Sequence, residues 1–310
     1  MSPTPPATSS RRWRLAPILL LAALLGGAAQ AQSGGQAGGQ AGGDAPKPDA
    51  DADAPQDPKK LKDWPAIAAP DRARALKLTG QLKKESEELR QAAVDEMIAI
   101  GAGAAPVLFQ KVNDSDESIN EDLFRVFDAV LGPEHADLMA AQARKKKRTL
   151  RNYLTRRLCR FVDPDQRDYL AWASKDEEDE QVVFCANLGL AALHDAPALL
   201  QVLELTRRDW LEHKDLVAEV LPAARCDACA RAVAEHIASA QPVVQAAGLR
   251  LLRYVADQNH VMILRTYLGA EDHGVKKEAV NAMRALHGQE PIENLSAFQA
   301  VEMAKEWQSK

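Results

Sequence analysis

From about residue 86 onward, stretches of 3.6-residue hydrophobic periodicity alternate with short breaks of Ser, Asp, Pro and Gly, the pattern of amphipathic helices joined by turns. Helices that open a pair are predicted to begin near Ser86, Asp116, Arg148, Asp179, Trp210, Pro242 and Gly274. Successive starts lie 30, 32, 31, 31, 32 and 32 residues apart, a regularity that unrelated helices would not produce. Pro106, Pro133, Pro164, Pro197 and Pro222 fall near the turn within successive pairs. Proline suits the first turn of a helix, where its missing N–H would have had no acceptor. The predicted fold is all-α: a right-handed α-solenoid of about seven helix pairs with a period near 31 residues.

A second register lies inside the first helices. Leu89-Ala93-Met97, Val182-Ala186-Leu190, Val243-Ala247-Leu251 and Val275-Ala279-Met283 each place Ala between two large apolar residues at spacings of four. Such positions share one helix face, and the small central residue lets a neighbouring helix approach. Phe124, Thr155 and Val217 stand near that position in the second, third and fifth units, so wider or shifted contacts are predicted there.

The run Met97-Ile98-Ala99-Ile100-Gly101-Ala102-Gly103-Ala104-Ala105-Pro106-Val107-Leu108 resembles the turn of a HEAT repeat, in which a Gly-containing turn leads to a second helix opening Ala-Pro-apolar-Leu. Residues 242–257 and 273–288 are similar to HEAT first helices, and Leu286-His287-Gly288-Gln289 with a last helix to Trp307 resembles the close of exported bacterial HEAT proteins. The resemblance covers residues 85–310 and rests on packing residues. It implies a stack of pairs with polar ends, Arg72, Arg74, Lys77, Lys83 and Lys84 serving the first end. It also implies a concave surface, usually lined by second helices, suited to a macromolecular partner. Enzymes occur among armadillo-like relatives, of a DNA base-excision type and a lyase type, and they are the alternative. The tetratricopeptide signature positions are not found in register.

Ahead of the repeats, residues 1–31 read as a secretory signal. Arg11, Arg12 and Arg14 precede the eleven-residue apolar run Leu15 to Leu25, and Ala29-Gln30-Ala31 places small residues for cleavage between Ala31 and Gln32. Eleven residues are too few to span a bilayer, so no transmembrane span is expected after cleavage. Residues 32–60 follow as a linker rich in Gly, Gln and Ala and then in Pro, Ala and Asp, with too little apolar bulk to order itself. Residues 61–310 form the repeat domain. Net charge is −5, and loss of residues 1–31 takes it to −8, which argues against general nucleic-acid binding. The expected location is outside the cytoplasmic membrane, in the periplasm or cell envelope.

Within this acidic chain one segment reverses sign. Arg144, Lys145, Lys146, Lys147, Arg148, Arg151, Arg156, Arg157 and Arg160 occur without an intervening acid. They are a candidate site for an acidic protein or an anionic envelope polymer, with Tyr169 and Trp172 as stacking residues. The equally weighted reading is internal balance against Asp176-Glu177-Glu178-Asp179-Glu180 in the equivalent loop of the next unit.

Cys226-Asp227-Ala228-Cys229 invites a redox reading or a local disulfide, yet Cys226, Ala230, Val233 and Ile237 share an apolar helix face, which favours a core pair, free or joined. Cys159 and Cys185 complete the cysteines. Seven His are scattered, without a zinc-protease spacing, and neither a phosphate loop nor a nucleophile elbow is present. The sequence therefore predicts a protein-binding scaffold, with no catalytic residues, metal or cofactor.

Overall fold

A computed structural model describes residues 60–84, 86–145 and 147–309. The contacts divide the chain into a unit ending at Pro55 and a second running from Gln56 to Lys310, which contains every described residue. The predicted leader, its Ala31/Gln32 cleavage point, nearly all of the linker, and Lys146 lie outside the described residues.

Those residues form fifteen α-helices and no strand. After α1 (Ala69–Leu78), seven pairs follow in order: α2 (Glu87–Ile100) with α3 (Ala105–Phe109), α4 (Glu117–Val130) with α5 (Ala136–Ala143), α6 (Arg148–Phe161) with α7 (Arg167–Asp176), and α8 (Glu180–Ala192) with α9 (Ala196–Arg208). The last three are α10 (Trp210–Val220) with α11 (Asp227–Ile237), α12 (Pro242–Val255) with α13 (Val261–Leu268), and α14 (His273–Leu286) with α15 (Ala297–Ser309). Every first helix begins within one residue of its predicted start. Among the described residues no single helix is long and apolar enough to cross a membrane.

Local chemistry sets these starts. Ser86, Asp116, Asp179, Asp209 and Asp272 each accept a backbone N–H from the opening turn they precede, satisfying a donor the helix cannot. Five pairs turn through a short 3-10 corner, at Ala102–Ala104, Pro133–His135, Pro164–Gln166, Leu221–Ala224 and Gln258–His260. Pro133 and Pro164 open their corners, while Pro106 and Pro197 stand in the first turns of α3 and α9. At the other ends, side chains reach into the next unit for the orphan carbonyls. Arg167 donates to the Leu193 carbonyl at 2.7 Å, His194 to Ala223 at 3.0 Å, Arg225 to Tyr254 at 3.2 Å and Gln258 to Leu286 at 2.7 Å.

Packing follows the small residues with informative exceptions. Ala93, Ala186, Ala247 and Ala279 are all buried. Beside Ala247, Gly248 lies so near α11 that a Cβ would stand 2.4 Å from Ile237 Cγ2. Leu89 and Val243, expected on the same apolar faces, are instead 52% and 54% exposed, because both occupy opening turns that no neighbouring helix covers. Between α4 and α6 the predicted wide contact is filled by Phe124 stacked on Tyr153, centroids 4.2 Å apart. The third unit departs from expectation. Thr155 is buried against the Tyr169 hydroxyl at 2.6 Å, and α6 packs closely on α8 because Gly189 there has no Cβ to meet Cys159. In the fifth unit α10 reaches α12 chiefly through its corner, Leu221–Ala224, which parts the two helices along their length.

An extended segment before α1 crosses the corners of the first three units in reverse order. Lys60 pairs with Asp163 at 2.7 Å and with Asp165 at 2.5 Å, and the Leu61 N–H donates to the Glu134 carbonyl at 2.9 Å. Trp64 stacks on His135 and meets Phe109 edge-on. Pro65 and Ala66 pass over Gly103, where a Cβ would come within 2.8 Å of the Pro65 carbonyl oxygen. In α1, Ala75 and Leu78 face inward while Arg72, Arg74 and Lys77 face solvent.

Candidate functional site

Among the clefts in the surface of the described helices, two exceed 600 Å³. The first, about 620 Å³, opens between the third and fourth units and is lined by Arg144, Arg148, Arg151, Trp172 and residues 176–179. It gathers part of the predicted basic segment with its predicted acidic counterpart. Arg148 pairs with Asp179, and Arg151 Nη1 lies 3.2 Å from Glu177 Oε1. Burial raises the Asp179 pKa, but the Arg148 guanidinium and the backbone N–H of Val182 outweigh it and hold this carboxyl below its usual range.

The remaining cations are dispersed. Lys147 donates to the carbonyls of Phe109, Gln110 and Val112 at the end of the first pair, and Lys145 donates to Gln142. Arg157 binds the carbonyls of Asp128 and Leu131, while Arg160 pairs with Glu219 at 2.8 Å. Arg156 is exposed on α6. Tyr169, expected as a stacking residue, is 3% exposed and presents no ring to a ligand, since its hydroxyl is drawn to Thr155. Trp172 is half-buried and already carries the Arg144 guanidinium 4.5 Å from its ring centroid.

The second cleft, about 650 Å³, was not anticipated from sequence. It lies where α10 parts from α12 and α14, so first helices line it. Across its floor, Arg250 Nε is 3.0 Å from Glu278 Oε1, and Arg253, one turn along α12, pairs with the other oxygen. Arg253 and Glu278 side chains are only 9% and 6% exposed, and burial pulls the Arg253 pKa down to about 10. Arg253 Nε is buried without a hydrogen-bond partner. On the α10 wall, Trp210 lies under the Arg250 guanidinium at 5.5 Å, and Leu211 beside it is 76% exposed. Lys214 joins α10 to Glu293 at 2.7 Å.

Cys226 and Cys229 are free thiols, one of the two forms, free or joined, that the sequence leaves open for a core pair. Cys226 caps α11, its Sγ accepting the Cys229 N–H at 3.4 Å, so the sulfur is engaged in starting the helix. Cys229 is fully buried; desolvation, then the Cys226 thiol, push its pKa up to about 12, opposite to the direction a reactive thiol requires. Cys159 and Cys185 are buried free thiols between α6 and α8. Among the described residues no group of three or more His, Cys, Asp or Glu is placed to hold a metal ion. His135 and His260 are instead buried corner residues, each ring Nδ1 accepting the backbone N–H three residues before it.

The class these features define is a stack of seven consecutive helix pairs with inter-unit clefts. No protein-family model matches this chain, and no curated protein matches it. Among solved structures it is similar to human deoxyhypusine hydroxylase in complex with glycerol, at 16% identity over 77% of this chain and 97% of the other, with a TM-score of 0.32. That protein is an enzyme, which stands against the expectation of a chain without chemistry, and the expectation is withdrawn. A likeness this distant assigns no activity here.

Proposed function

We propose that this chain is an exported, HEAT-like scaffold that binds another protein, and that the cleft between α10 and α12–α14 is the surface it uses. One observation carries the choice of surface. Leu211, 76% exposed, and Trp210 stand over a floor of buried, incompletely satisfied charge, a mixture of apolar anchor and polar specificity that suits recognition. The basic segment offers less, because Arg148, Arg151, Arg157, Arg160 and Lys147 are already engaged within the chain. Export is supported by the charged, apolar and small-residue order of residues 1–31.

The proposal is tested by capture from envelope extract on the immobilised chain, comparing wild type with Leu211→Glu and with Arg148→Glu. Loss of a captured protein with Leu211→Glu alone supports it. Loss with Arg148→Glu alone moves the site to the first cleft. Intact mass of the protein recovered from its native cells is expected to begin at Gln32, and retention of Met1 on a cytoplasmic form overturns the export reading.

A further inference from the structure

The chemistry of the α10–α12–α14 cleft is specific enough to name what fits it, an inference that rests on the protein-binding reading above. Two guanidinium groups, Arg250 and Arg253, share the single carboxylate of Glu278, leaving the floor one positive charge in excess. The Arg253 side chain is more than nine-tenths buried, and its Nε has no acceptor. Two guanidinium groups on one carboxylate leave the floor's charge incompletely balanced, and an incoming anion balances it.

The walls limit which anion. Six cations and five carboxylates line the whole cleft, so a dianion such as phosphate would exceed its surplus of one positive charge. A single carboxylate matches it, and the planar guanidinium fork suits that geometry. Beside the floor, Trp210 and exposed Leu211 require an apolar group on the same ligand. An extended peptide supplies both, because side chains two residues apart project to one side. The cleft volume, about 650 Å³, lies within the usual range of ligand sites, roughly 300–1,000 Å³.

We propose that the cleft takes an extended acidic peptide, with a Glu or Asp carboxylate at Arg250 and Arg253 and a large apolar side chain two residues away over Trp210 and Leu211. Fluorescence polarisation with a labelled, acetylated peptide of two Leu-Ser-Glu-Ser repeats, which places Leu and Glu on one side of an extended chain, tests this on the full chain, beside the same peptide with Gln for Glu and inorganic phosphate. The Glu peptide is expected to bind at least tenfold more tightly than the Gln peptide. Arg250→Gln and Leu211→Ser each weaken it tenfold or more, while Lys305→Gln, an equal loss of charge on α15, leaves it unchanged. Phosphate at matched ionic strength does not displace it.

Failure of the Glu peptide to bind, equal binding of the Gln peptide, or insensitivity to Arg250→Gln overturns the proposal. Displacement by phosphate does so too, by reducing the cleft to a simple anion site. Leu211 is 76% exposed, so its variant tests the cleft independently of any effect of Arg250→Gln on folding, and circular dichroism checks both. If the peptide fails while Leu211→Glu still abolishes protein capture, the acidic-ligand inference falls and the protein-binding reading survives. If both fail, both fall.

Discussion

At the scale of single residues, the positions that decide packing are those where an added atom has nowhere to go. Gly248 is such a position: its missing Cβ is what lets α12 lie against Ile237 and Val233 of α11. Gly248→Ala is expected to cost roughly 1–3 kcal/mol, read as a lower denaturation midpoint with unchanged helix content. The sequence shows Ala247 at this contact through its spacing, but not that the neighbouring glycine makes the closest approach, which depends on how α11 crosses α12. Cys229 gives a second prediction with a definite sign. Its folded pKa, about 12, lies above the ordinary thiol value, so the folded state holds this proton more tightly than the unfolded one. Its contribution to stability is full below the unfolded pKa and is lost as pH rises through the window from about 9 to about 12. Stability measured across that range should fall less steeply in Cys229→Ala than in wild type. Alkylation of native Cys229 at pH 8 should proceed only as fast as the chain opens.

At the scale of elements, helix starts were readable in advance because a cap is local: Ser86, Asp116, Asp179 and Asp272 accept N–H groups only two or three residues ahead. The cleft was not, because Arg250 and Glu278 are 28 residues apart and Trp210 is on a third helix; only the stacking of units and the offset of α10 bring them together. The extended segment from Lys60 to Ala68 was hidden for the same reason, since nothing in its own periodicity reports the corners it crosses. Its anchors predict its behaviour. Trp64→Ala removes the contacts with His135 and Phe109, and Gly103→Ala presses a methyl group into the Pro65 carbonyl. Either change should release the segment, so that trypsin cuts at Lys60 or Lys62 under conditions in which the wild-type chain resists, with the helices left intact. The Arg148–Asp179 pair is a separate link between the third and fourth units. Because the folded Asp179 pKa is depressed, its stabilising effect is present above the unfolded carboxyl pKa and is lost as pH falls through the folded value. Arg148→Ala should therefore narrow the difference in stability between neutral pH and about pH 3.

At the scale of the whole stack, the buried apolar residues of the described chain form two clusters that meet chiefly along α8, with Cys159 of α6 and Ala198 of α9 also crossing the divide. In α8, Val182, Ala186 and Leu190 belong to the cluster built by the first four units, whereas Phe184, Cys185, Leu188, Ala191 and Ala192 belong to the cluster running on to Trp307. A helix apolar on nearly all sides was visible in the sequence between Val182 and Ala192, but its role as the shared wall of two cores was not, because periodicity reports one face at a time. In a repeat stack each unit's stability is its own plus that of its neighbours, so damage should spread only as far as the cluster it strikes. Val255→Ala, at a fully buried site of the second cluster, is expected to cost roughly 1–2 kcal/mol and to lower amide protection from α9 through α15, leaving α2 to α5 near wild-type values. Leu123→Ala should do the reverse, lowering protection in the first cluster and sparing α12 to α14. Leu188→Ala and Val182→Ala, on opposite sides of α8, should each loosen the helix itself, and because α8 closes both cores they should couple the two blocks that the distant substitutions separate. Native-state hydrogen exchange followed by mass spectrometry reads all four variants directly. Uniform loss of protection from α2 to α15 in Val255→Ala would show instead that the seven pairs unfold as one, with α8 transmitting damage rather than confining it.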